Sequence, residues 1–264
     1  MMHLVKCRQC GLIYLSPRPD SEEARALYSQ SYFLKWYSDP QKRQSEKRYF
    51  RRLLRRREIR SNRTCNALDV GCGLGAFMEA ARESEWKVIG VEPSDYAARY
   101  CREQLGFPVH QGTIKEVNLP EKYFDVVAAF DVLEHVEGLS EFLSSLRRTL
   151  KSQGRFVVLV PNYEGLVFQL GRILHKLKKS PLPNTPEHLT YFTMKSLRRL
   201  LQVNGFCIKS IVSTDANDQG GYLRCGGGVM AFSRTVVNYA CFWIGKITNR
   251  REAILAVAEA SKPV

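Results

Sequence analysis

Short apolar runs alternate with amphipathic stretches through the middle of the chain. The apolar runs that predict β-strands lie at residues 67–70, 87–91, 109–111, 124–130 and 155–160. Between them, apolar positions recur at helical spacing in residues 76–84, 94–104 and 139–150, which predicts three helices. Strands that alternate with helices indicate an α/β domain in which a parallel sheet is covered by helices on both faces.

The rhythm changes beyond Pro161. We predict an amphipathic helix at residues 163–179, a proline-rich connector at 181–186, and a helix at 194–204 that Gly205 ends. Strands are predicted at 206–213 and 254–260, with a glycine-rich loop at 220–228 between them. The two late strands are expected to complete the sheet.

One predicted helix holds most of the positive charge. Residues 42–63 contain eleven basic and two acidic side chains, so they contribute +9 to a net charge of +14. Phe50, Leu53 and Leu54 recur at helical spacing there and predict a buried face. The basic residues are most simply a solvated face. Contact with an anionic lipid surface is the second interpretation, and binding to nucleic acid is the third.

The length of 264 residues suits one large α/β domain with an appendage. No apolar run reaches the ~18 residues that a membrane helix needs, and no apolar signal segment precedes Cys7. The eight cysteines are scattered, and several fall in predicted strands. This usage favours reduced thiols and a cytoplasmic protein.

The most specific motif is LDVGCGLGAF at residues 68–77, in which an apolar strand runs into three glycines and then a helix. Glycine permits a sharp turn and lets a ligand lie against the backbone at Gly71, Gly73 and Gly75. Glu92 closes the next strand, where a carboxylate can accept hydrogen bonds from both hydroxyls of a ribose. The pattern predicts a nucleoside-type ligand at the ends of these two strands.

A dinucleotide site is the alternative, because Gly71-x-Gly73-x-x-Ala76 satisfies the relaxed nicotinamide fingerprint. Asp69 counts against it, since a carboxylate two residues before the first glycine repels a pyrophosphate and attracts a cation. The third glycine also lies at Gly75, not three positions after Gly73. A NAD(P)-dependent oxidoreductase is therefore the second choice.

Four motifs in register carry a resemblance to a known family. LDVGCGLGAF (68–77), VEPS (91–94), FDVV (124–127) and DVLEHV (131–136) resemble, in order and spacing, the class I S-adenosylmethionine-dependent methyltransferases. PEHLTYFT (186–193) narrows the resemblance to the group that includes ubiquinone-pathway O-methyltransferases and many small-molecule, sugar and lipid methyltransferases. It implies a Rossmann-like, seven-stranded sheet, mostly parallel with an antiparallel last strand, and helices on both faces.

The resemblance also implies the cofactor, S-adenosylmethionine, and the residues that hold it. Asp69 and the glycine-loop backbone would bind the methionine end, and Glu92 the ribose, while Thr113 and Ile114 would border the adenine. Many relatives have an acidic residue where this chain has Thr113. The cofactor-binding residues that we predict are Asp69, Gly71, Cys72, Gly73, Gly75, Glu92, Pro93, Thr113, Ile114 and Asp131.

Methyl transfer to a hydroxyl requires alignment and a base that takes the proton. His135 and His188 lie in segments that the resemblance puts beside the methyl group, so we predict His135, His188 and Glu134 as catalytic residues. Ubiquinone-pathway relatives are associated with a divalent metal at a Glu-x-x-Glu-His motif, which this chain has as Asp131-x-x-Glu134-His135. We assign no metal, and a divalent cation at these three residues is left open.

Cys7-x-x-Cys10-Gly11 resembles the second knuckle of the small zinc ribbon that precedes the methyltransferase domain in many relatives. Zinc takes four ligands, and the earlier cysteine pair is missing, so we predict a remnant without metal. The predicted organisation is this remnant and a lead-in (1–41), the basic helix (42–63), the methyltransferase core (64–213, with a substrate-side insertion at 162–192), and a C-terminal loop, helix and final strand (214–264).

The predicted function is methyl transfer to a small-molecule acceptor, most simply at a hydroxyl oxygen of a sugar, a lipid-linked compound or an isoprenoid-derived compound. A nucleic-acid methyltransferase that uses the basic helix is a further alternative. Against it, residues 131–134 read DVLE and not the Asn/Asp-Pro-Pro-Tyr/Phe that grips a base amino group. We expect a cytoplasmic enzyme, with peripheral contact to an anionic membrane surface as an option.

Overall fold

In a computed structural model, the structure describes residues 2–18, 33, 40–59, 64–166, 168–170, 172, 188–215, 244–245, 247–248 and 250–261. The strands in these ranges are β1 (His3–Lys6), β2 (Ile13–Ser16), β3 (Asn66–Val70), β4 (Lys87–Glu92), β5 (Val109–Gln111), β6 (Phe124–Phe130), β7 (Leu150–Pro161), β8 (Thr190–Tyr191), β9 (Phe206–Thr214) and β10 (Ala253–Ala260). The α-helices are α1 (Pro40–Leu54), α2 (Ala76–Glu83), α3 (Asp95–Glu103), α4 (Leu139–Thr149) and α5 (Met194–Val203).

Seven strands form the main sheet in the order β5-β4-β3-β6-β7-β10-β9. The neighbours from β5 to β7 pair in parallel. The strand β10, last in the chain, lies between β7 and β9 and is antiparallel to both. The predicted fold class, a mostly parallel seven-stranded sheet with an antiparallel last strand, is confirmed.

Both faces of the sheet are buried because successive side chains of a strand point to opposite sides. On β3, Ala67 belongs to an apolar cluster shared with Phe77 and Met78 of α2. Leu68 belongs to a second cluster shared with Phe142 and other apolar residues of α4. The helices therefore cover two faces of a central layer, and the loops at the strand ends are left free to form a site.

The basic helix is shorter than the predicted 42–63, because α1 ends at Leu54. Beyond it the chain tightens into turns, in which the N–H of Ile59 donates to the carbonyl of Arg56. These turns bring Ile59, which is 1% exposed, into the same apolar cluster as Leu53 and Leu54. Burial of this isoleucine accounts for the early end of the helix.

The first part of the chain contains two strands that were not predicted from the sequence. Strands β1 and β2 form an antiparallel hairpin, and Cys7 and Cys10 lie in its turn. β2 also pairs with β8, so that Ile13 is opposite Tyr191 in a separate three-stranded sheet. Alternate residues of β2 are buried, and Leu15 has no exposed surface.

Other predicted segments lie wholly or partly outside the described residues. Of the predicted helix at 163–179, residues 163–165 form a turn and a bend instead, and the residues described beyond them (166, 168–170 and 172) are helical. The connector at 181–186 and the glycine-rich loop at 220–228 are outside the described ranges. Among the described helices, none combines the length and the apolar character that crossing a bilayer requires.

Candidate active site

The carboxyl ends of β3, β4 and β6 meet at one edge of the sheet, because the three strands are parallel neighbours. The loop after β3 and the loop after β6 touch there. A Cβ atom added to Gly71 would lie 2.5 Å from Cγ2 of Val132. This contact brings the predicted cofactor motif and the predicted catalytic motif together.

The glycine loop needs glycine for its backbone as well as for ligand access. Gly71, Gly73 and Gly75 have φ angles of +73°, +49° and +78°, a region that L-residues with a side chain rarely adopt. The N–H of Gly71 donates to the carbonyl of Val91 at 2.7 Å, which ties the loop to β4. Three left-handed residues in alternation explain why the motif spaces its glycines by two.

Two buried carboxyl groups lie beneath this loop. Glu92 accepts hydrogen bonds from the N–H groups of Gly73 and Ser94, both at 2.9 Å. Asp69 is 2% exposed, and its pKa is raised to about 8, chiefly by burial and then by the charge of Glu92. Burial also raises the pKa of Glu92, although the two N–H groups oppose that change. Asp69 is thus a buried acid that a cationic ligand would ionise.

Cysteine thiols pack against the glycine loop. The Sγ of Cys101, on α3, donates to the carbonyl of Gly73 at 3.3 Å. Cys72 is also buried, and the pKa of its thiol is raised well above the usual value, first by its hydrogen bond with Cys101 and then by burial. Cys72 can therefore face a ligand through its backbone but is not a nucleophile. Pro93, just beyond β4, is exposed at the same edge.

The loop after β5 carries the residues expected beside the adenine. The N–H of Thr113 donates to Oε2 of Glu116 at 2.8 Å, so an acidic group lies close to the position where relatives carry one. The sequence analysis missed Glu116 because it is three residues further along the chain. Ile114 is 3% exposed and packs in the core below the loop.

Asp131 begins the loop after β6 in a left-handed conformation, with φ of +55°. The residue as a whole is exposed, but its carboxyl group is desolvated by the protein around it, which raises its pKa to about 6, while Lys42 opposes the change. Lys42 belongs to α1, which also directs Glu46 to this region. Burial raises the pKa of Glu46 to about 7, Lys42 lowers it, and Asp131 raises it. The sequence analysis did not predict that α1 reaches the site.

Aromatic and polar contacts hold α1 in that place. Phe50 packs against Phe77 and Phe130 with ring centroids 5.6 Å and 4.9 Å apart, and Phe130 directly precedes Asp131. Arg43 donates to the carbonyl of Leu74 in the glycine loop at 3.1 Å. The helix therefore spans from the glycine loop to the end of β6.

Part of the basic surface of α1 is neutralised within the molecule. Arg43 and Lys47 contact Glu79 of α2 at 2.6 Å and 3.0 Å, and Arg51 contacts Glu83 at 2.5 Å. Three of the basic side chains of α1 thus form ion pairs with α2. The ranking of interpretations for this helix, with a solvated face first, an anionic lipid surface second and nucleic acid third, stays a prediction.

The three predicted catalytic residues form one cluster, which we call the Glu–His–His cluster: Glu134, His135 and His188. The first two lie in a 3₁₀ turn, Leu133–His135, and the N–H of Leu189 donates to the carbonyl of Glu134 at 2.8 Å. The two imidazole rings meet edge to face with centroids 4.7 Å apart. One donor atom from each residue lies within 4.8 Å of the others.

Burial dominates the electrostatics of this cluster. Glu134 is 1% exposed, and the pKa of its carboxyl is raised well above the usual value by burial and then by Asp131. The pKa of His188 is lowered well below the usual value, chiefly by burial and then by His135. The His135 ring is the most accessible member, at 17% exposed. The cluster is thus a buried acid and a buried neutral imidazole with one ring that solvent reaches.

The N-terminal hairpin holds His188 in place. The N–H of Leu15 donates to the carbonyl of Leu189 at 2.9 Å, and β2 pairs with β8 directly after it. The hydrogen bond from Leu189 to Glu134 joins the same segment to the loop after β6. The hairpin was expected only as a remnant of a metal-binding ribbon, and its support of His188 was missed.

A seven-stranded sheet with this strand order, a glycine loop after β3 and an acid at the end of β4 is the arrangement of the class I S-adenosylmethionine-dependent methyltransferase fold. The family model described as "Methyltransferase domain" matches residues 41–211. The chain therefore belongs to the methyltransferase-domain family. Membership removes the NAD(P)-dependent oxidoreductase as an alternative.

Curated relatives are similar over part of their length. A probable S-adenosylmethionine-dependent methyltransferase of Mycolicibacterium smegmatis is 28% identical over 142 residues, which cover 53% of this chain and 51% of the relative. The human mitochondrial ubiquinone biosynthesis O-methyltransferase is 28% identical over 185 residues, which cover 66% of this chain and 48% of the relative. The chain spans about half the length of the curated relatives it matches.

Solved structures share the fold at low identity. A SAM-dependent methyltransferase from Archaeoglobus fulgidus superposes with a TM-score of 0.58 at 22% identity, over 87% of this chain and 98% of that chain. A geranyl diphosphate C-methyltransferase from Streptomyces coelicolor A3(2) superposes with a TM-score of 0.57 at 16% identity, over 80% and 74%. These likenesses concern the fold.

Proposed function

We propose that this chain transfers the methyl group of S-adenosylmethionine to a hydroxyl oxygen of a small acceptor. The observation that carries the proposal is the Glu–His–His cluster at the sheet edge that also holds the glycine loop. A proton acceptor beside a cofactor loop is what O-methylation requires beyond alignment. S-adenosylmethionine, the cofactor of the family, supplies the activated methyl group.

The residues beneath the glycine loop fit this cofactor. Glycine at 71, 73 and 75 would let a ligand approach the backbone of the loop, and Asp69 offers a carboxylate to the cationic methionine end. Glu92 keeps lone pairs beyond the two that accept from Gly73 and Ser94, so it can also accept from ribose hydroxyls. Glu116, which accepts from the N–H of Thr113, is in this proposal the acidic group available to the adenine amino group.

At the acceptor side, His135 is the group that takes the proton as the methyl moves. Its ring is the accessible one of the cluster, and Glu134 Oε1 lies 3.9 Å from its Nε2. In its ionised form that carboxyl would stabilise the imidazolium that forms, and the imidazolium in turn favours ionisation of the buried Glu134. His188 packs edge to face against the ring and fixes its orientation.

The acceptor class follows from two considerations. The ubiquinone biosynthesis enzymes among the relatives are O-methyltransferases by name, which supports a hydroxyl. The buried aromatic and aliphatic surroundings of the cluster support an acceptor with an apolar part, so we favour an isoprenoid-derived or lipid-linked alcohol or phenol over a free sugar. A nucleic-acid acceptor is not supported by any base-gripping motif at residues 131–134.

The test combines binding with turnover. Calorimetry should give S-adenosylhomocysteine binding and no NAD(H) binding, and incubation with isotopically labelled cofactor and a panel of alcohols, phenols and carboxylates should label a hydroxyl acceptor. His135→Ala should lower turnover about 100-fold and leave S-adenosylhomocysteine affinity unchanged. His3→Ala, an exposed histidine on β1, is the matched control. Near-normal turnover of both His135→Ala and His188→Ala would reject the hydroxyl proposal in favour of an acceptor without a proton to lose.

A further inference from the structure

The Glu–His–His cluster has the composition of a metal site as well as of a base. Its donors are one carboxylate oxygen and two imidazole nitrogens, all within 4.8 Å of one another. A tetrahedral site with ligand bonds of about 2.1 Å separates its donor atoms by about 3.4 Å. Rotations that move each donor by about 1 Å would therefore close the cluster around an ion.

Glu134 gives a second and independent sign of a ligand. Both of its carboxylate oxygens are buried and, in the part of the chain that the structure describes, neither has a hydrogen-bond partner. A buried carboxylate with no partner is costly, and structures retain one where a ligand satisfies it. The residue is 1% exposed and stands beside the two imidazoles, so a cation between them would be its partner.

The ligand set differs from the one that the sequence motif suggests. The motif offers Asp131 as the companion of Glu134 and His135, but among the described residues the group of close donors contains His188 instead. Asp131 is an exposed residue with a left-handed backbone, and its carboxyl lies near Lys42 of α1. His188 reaches the site through the hydrogen bond between Leu189 and Glu134.

We infer that Glu134, His135 and His188 bind a divalent transition-metal ion of the zinc, cobalt or iron type. Two imidazoles and one carboxylate favour these ions, whereas magnesium prefers oxygen ligands throughout. Three protein ligands leave a coordination position free, as in catalytic zinc sites. The inference rests on the proposed function, because it gives the same cluster a second means of activating the acceptor hydroxyl. When bound, the ion would lower the pKa of that hydroxyl so that its proton passes to solvent water, and His135 would then serve as a ligand in place of the base.

Cobalt(II) is the probe, because its visible absorption reports both occupancy and ligand geometry. The chain is first stripped with a chelator, and Cys7→Ser with Cys10→Ser forms the background, since these thiols are the other candidate ligands. We expect one cobalt(II) per chain, with the intense visible absorption of a four- or five-coordinate ion. Magnesium in large excess should leave the spectrum unchanged, and zinc should abolish it.

Single substitutions test the ligand set. Glu134→Gln and His188→Ala should each weaken cobalt(II) binding about 100-fold or more, since even the loss of a group outside the ligand set costs 10- to 100-fold. Asp131→Asn should bind cobalt(II) like the background protein, as should His110→Ala, which removes an exposed histidine on β5. Absence of stoichiometric binding would overturn the inference. Loss of binding in Asp131→Asn with retention in His188→Ala would overturn this ligand set.

Folding and the proposed function are controlled separately. Each variant is checked by thermal melting, and His188→Gln replaces His188→Ala where the alanine variant melts early. Glu134→Gln keeps the shape of the side chain and decides the outcome if both His188 variants unfold. S-adenosylhomocysteine calorimetry on the Glu134 and His188 variants should show unchanged affinity. Failure of cofactor binding in the background protein would contradict the proposed function, while the cobalt titration would still decide the metal site.

Discussion

Cofactor binding should release a proton from Asp69. The carboxyl is 2% exposed, and burial and Glu92 raise its pKa from the ordinary 3.8 to about 8. The free protein therefore carries a neutral Asp69 at about pH 6. The ammonium group of S-adenosylhomocysteine favours the ionised form, so the proton must leave when this ligand binds. The sign follows: affinity should rise as the pH increases toward about 8 and level off above it.

The size of the effect comes from the distance between the pH and the pKa. One pH unit below the pKa corresponds to a factor of ten, so at about pH 6 ionisation of Asp69 costs about 3 kcal/mol. S-adenosylhomocysteine should consequently bind roughly 100-fold more weakly at about pH 6 than at about pH 8.5. About one proton should be released per ligand at the lower pH, and a small fraction of one at the higher pH.

Titration calorimetry in two buffers of different ionisation enthalpy measures this release directly. Asp69→Asn is the matched variant, since its amide has the shape of the neutral acid and cannot ionise. It should bind weakly, and with much less dependence on pH. Any proton release that persists in Asp69→Asn comes from Glu92 or from Asp131. Burial raises the pKa of both carboxyl groups, and that of Asp131 to about 6. Equal affinities at the two pH values in the unsubstituted protein, or an unchanged pH dependence in Asp69→Asn, would contradict the assignment.

Two further predictions concern the framework of the site. Glu92→Gln should lower both the free energy of unfolding and the cofactor affinity by about 1–3 kcal/mol, because the amide oxygen can accept from only one of the two N–H groups that the carboxylate binds. Denaturation measures the first quantity and calorimetry the second, with Glu103→Gln on the exposed end of α3 as the control. Wild-type values in both assays would show that Glu92 has no such role. Leu15→Ala should lower the free energy of unfolding by about 2–5 kcal/mol. It should also lower turnover and leave cofactor affinity unchanged, because the hairpin supports His188. Lys6→Ala is the exposed control, and unchanged turnover in Leu15→Ala would show that the hairpin has no part in catalysis.

The sheet could be predicted because its signals are local. Buried parallel strands are continuous apolar runs, and β5 and β6 have the bounds that their runs predict, 109–111 and 124–130. The end of α1 could not be predicted from helical periodicity, since Ile59 ends the helix by its burial against distant residues. The hairpin was missed because its strands are four residues long, and β2 is specified by pairing with β8, which is far from it in the sequence.

The cofactor side of the site was readable for a similar reason. The conformation of the glycine loop could be predicted from its residue types, because every second position has a positive φ angle, which favours glycine. Glu116 was invisible because only the fold of the loop after β5 returns its carboxylate to Thr113. The position of Lys42 and Glu46 at the site could not be predicted from the sequence. Helical spacing shows which residues share a face of a helix, but it does not show which part of the sheet that face contacts.

The catalytic side depends on contacts that no local pattern encodes. His135 and His188 are brought together by one backbone hydrogen bond, from Leu189 to Glu134, and by the strand β2 that holds Leu189 from the other side. The spacing of residues 131–135 suggested that Asp131 and Glu134 belong to one ligand set. The backbone of Asp131 is left-handed and leads into the 3₁₀ turn at Leu133–His135. The donor atoms that lie close together are instead those of Glu134, His135 and His188. The chemistry at this edge is thus set by three segments of the chain: the N-terminal hairpin, the loop after β6 and the segment before β8. Variation in the first or third can change the acceptor and the ion without disturbing the cofactor loop, because neither contributes a residue to it.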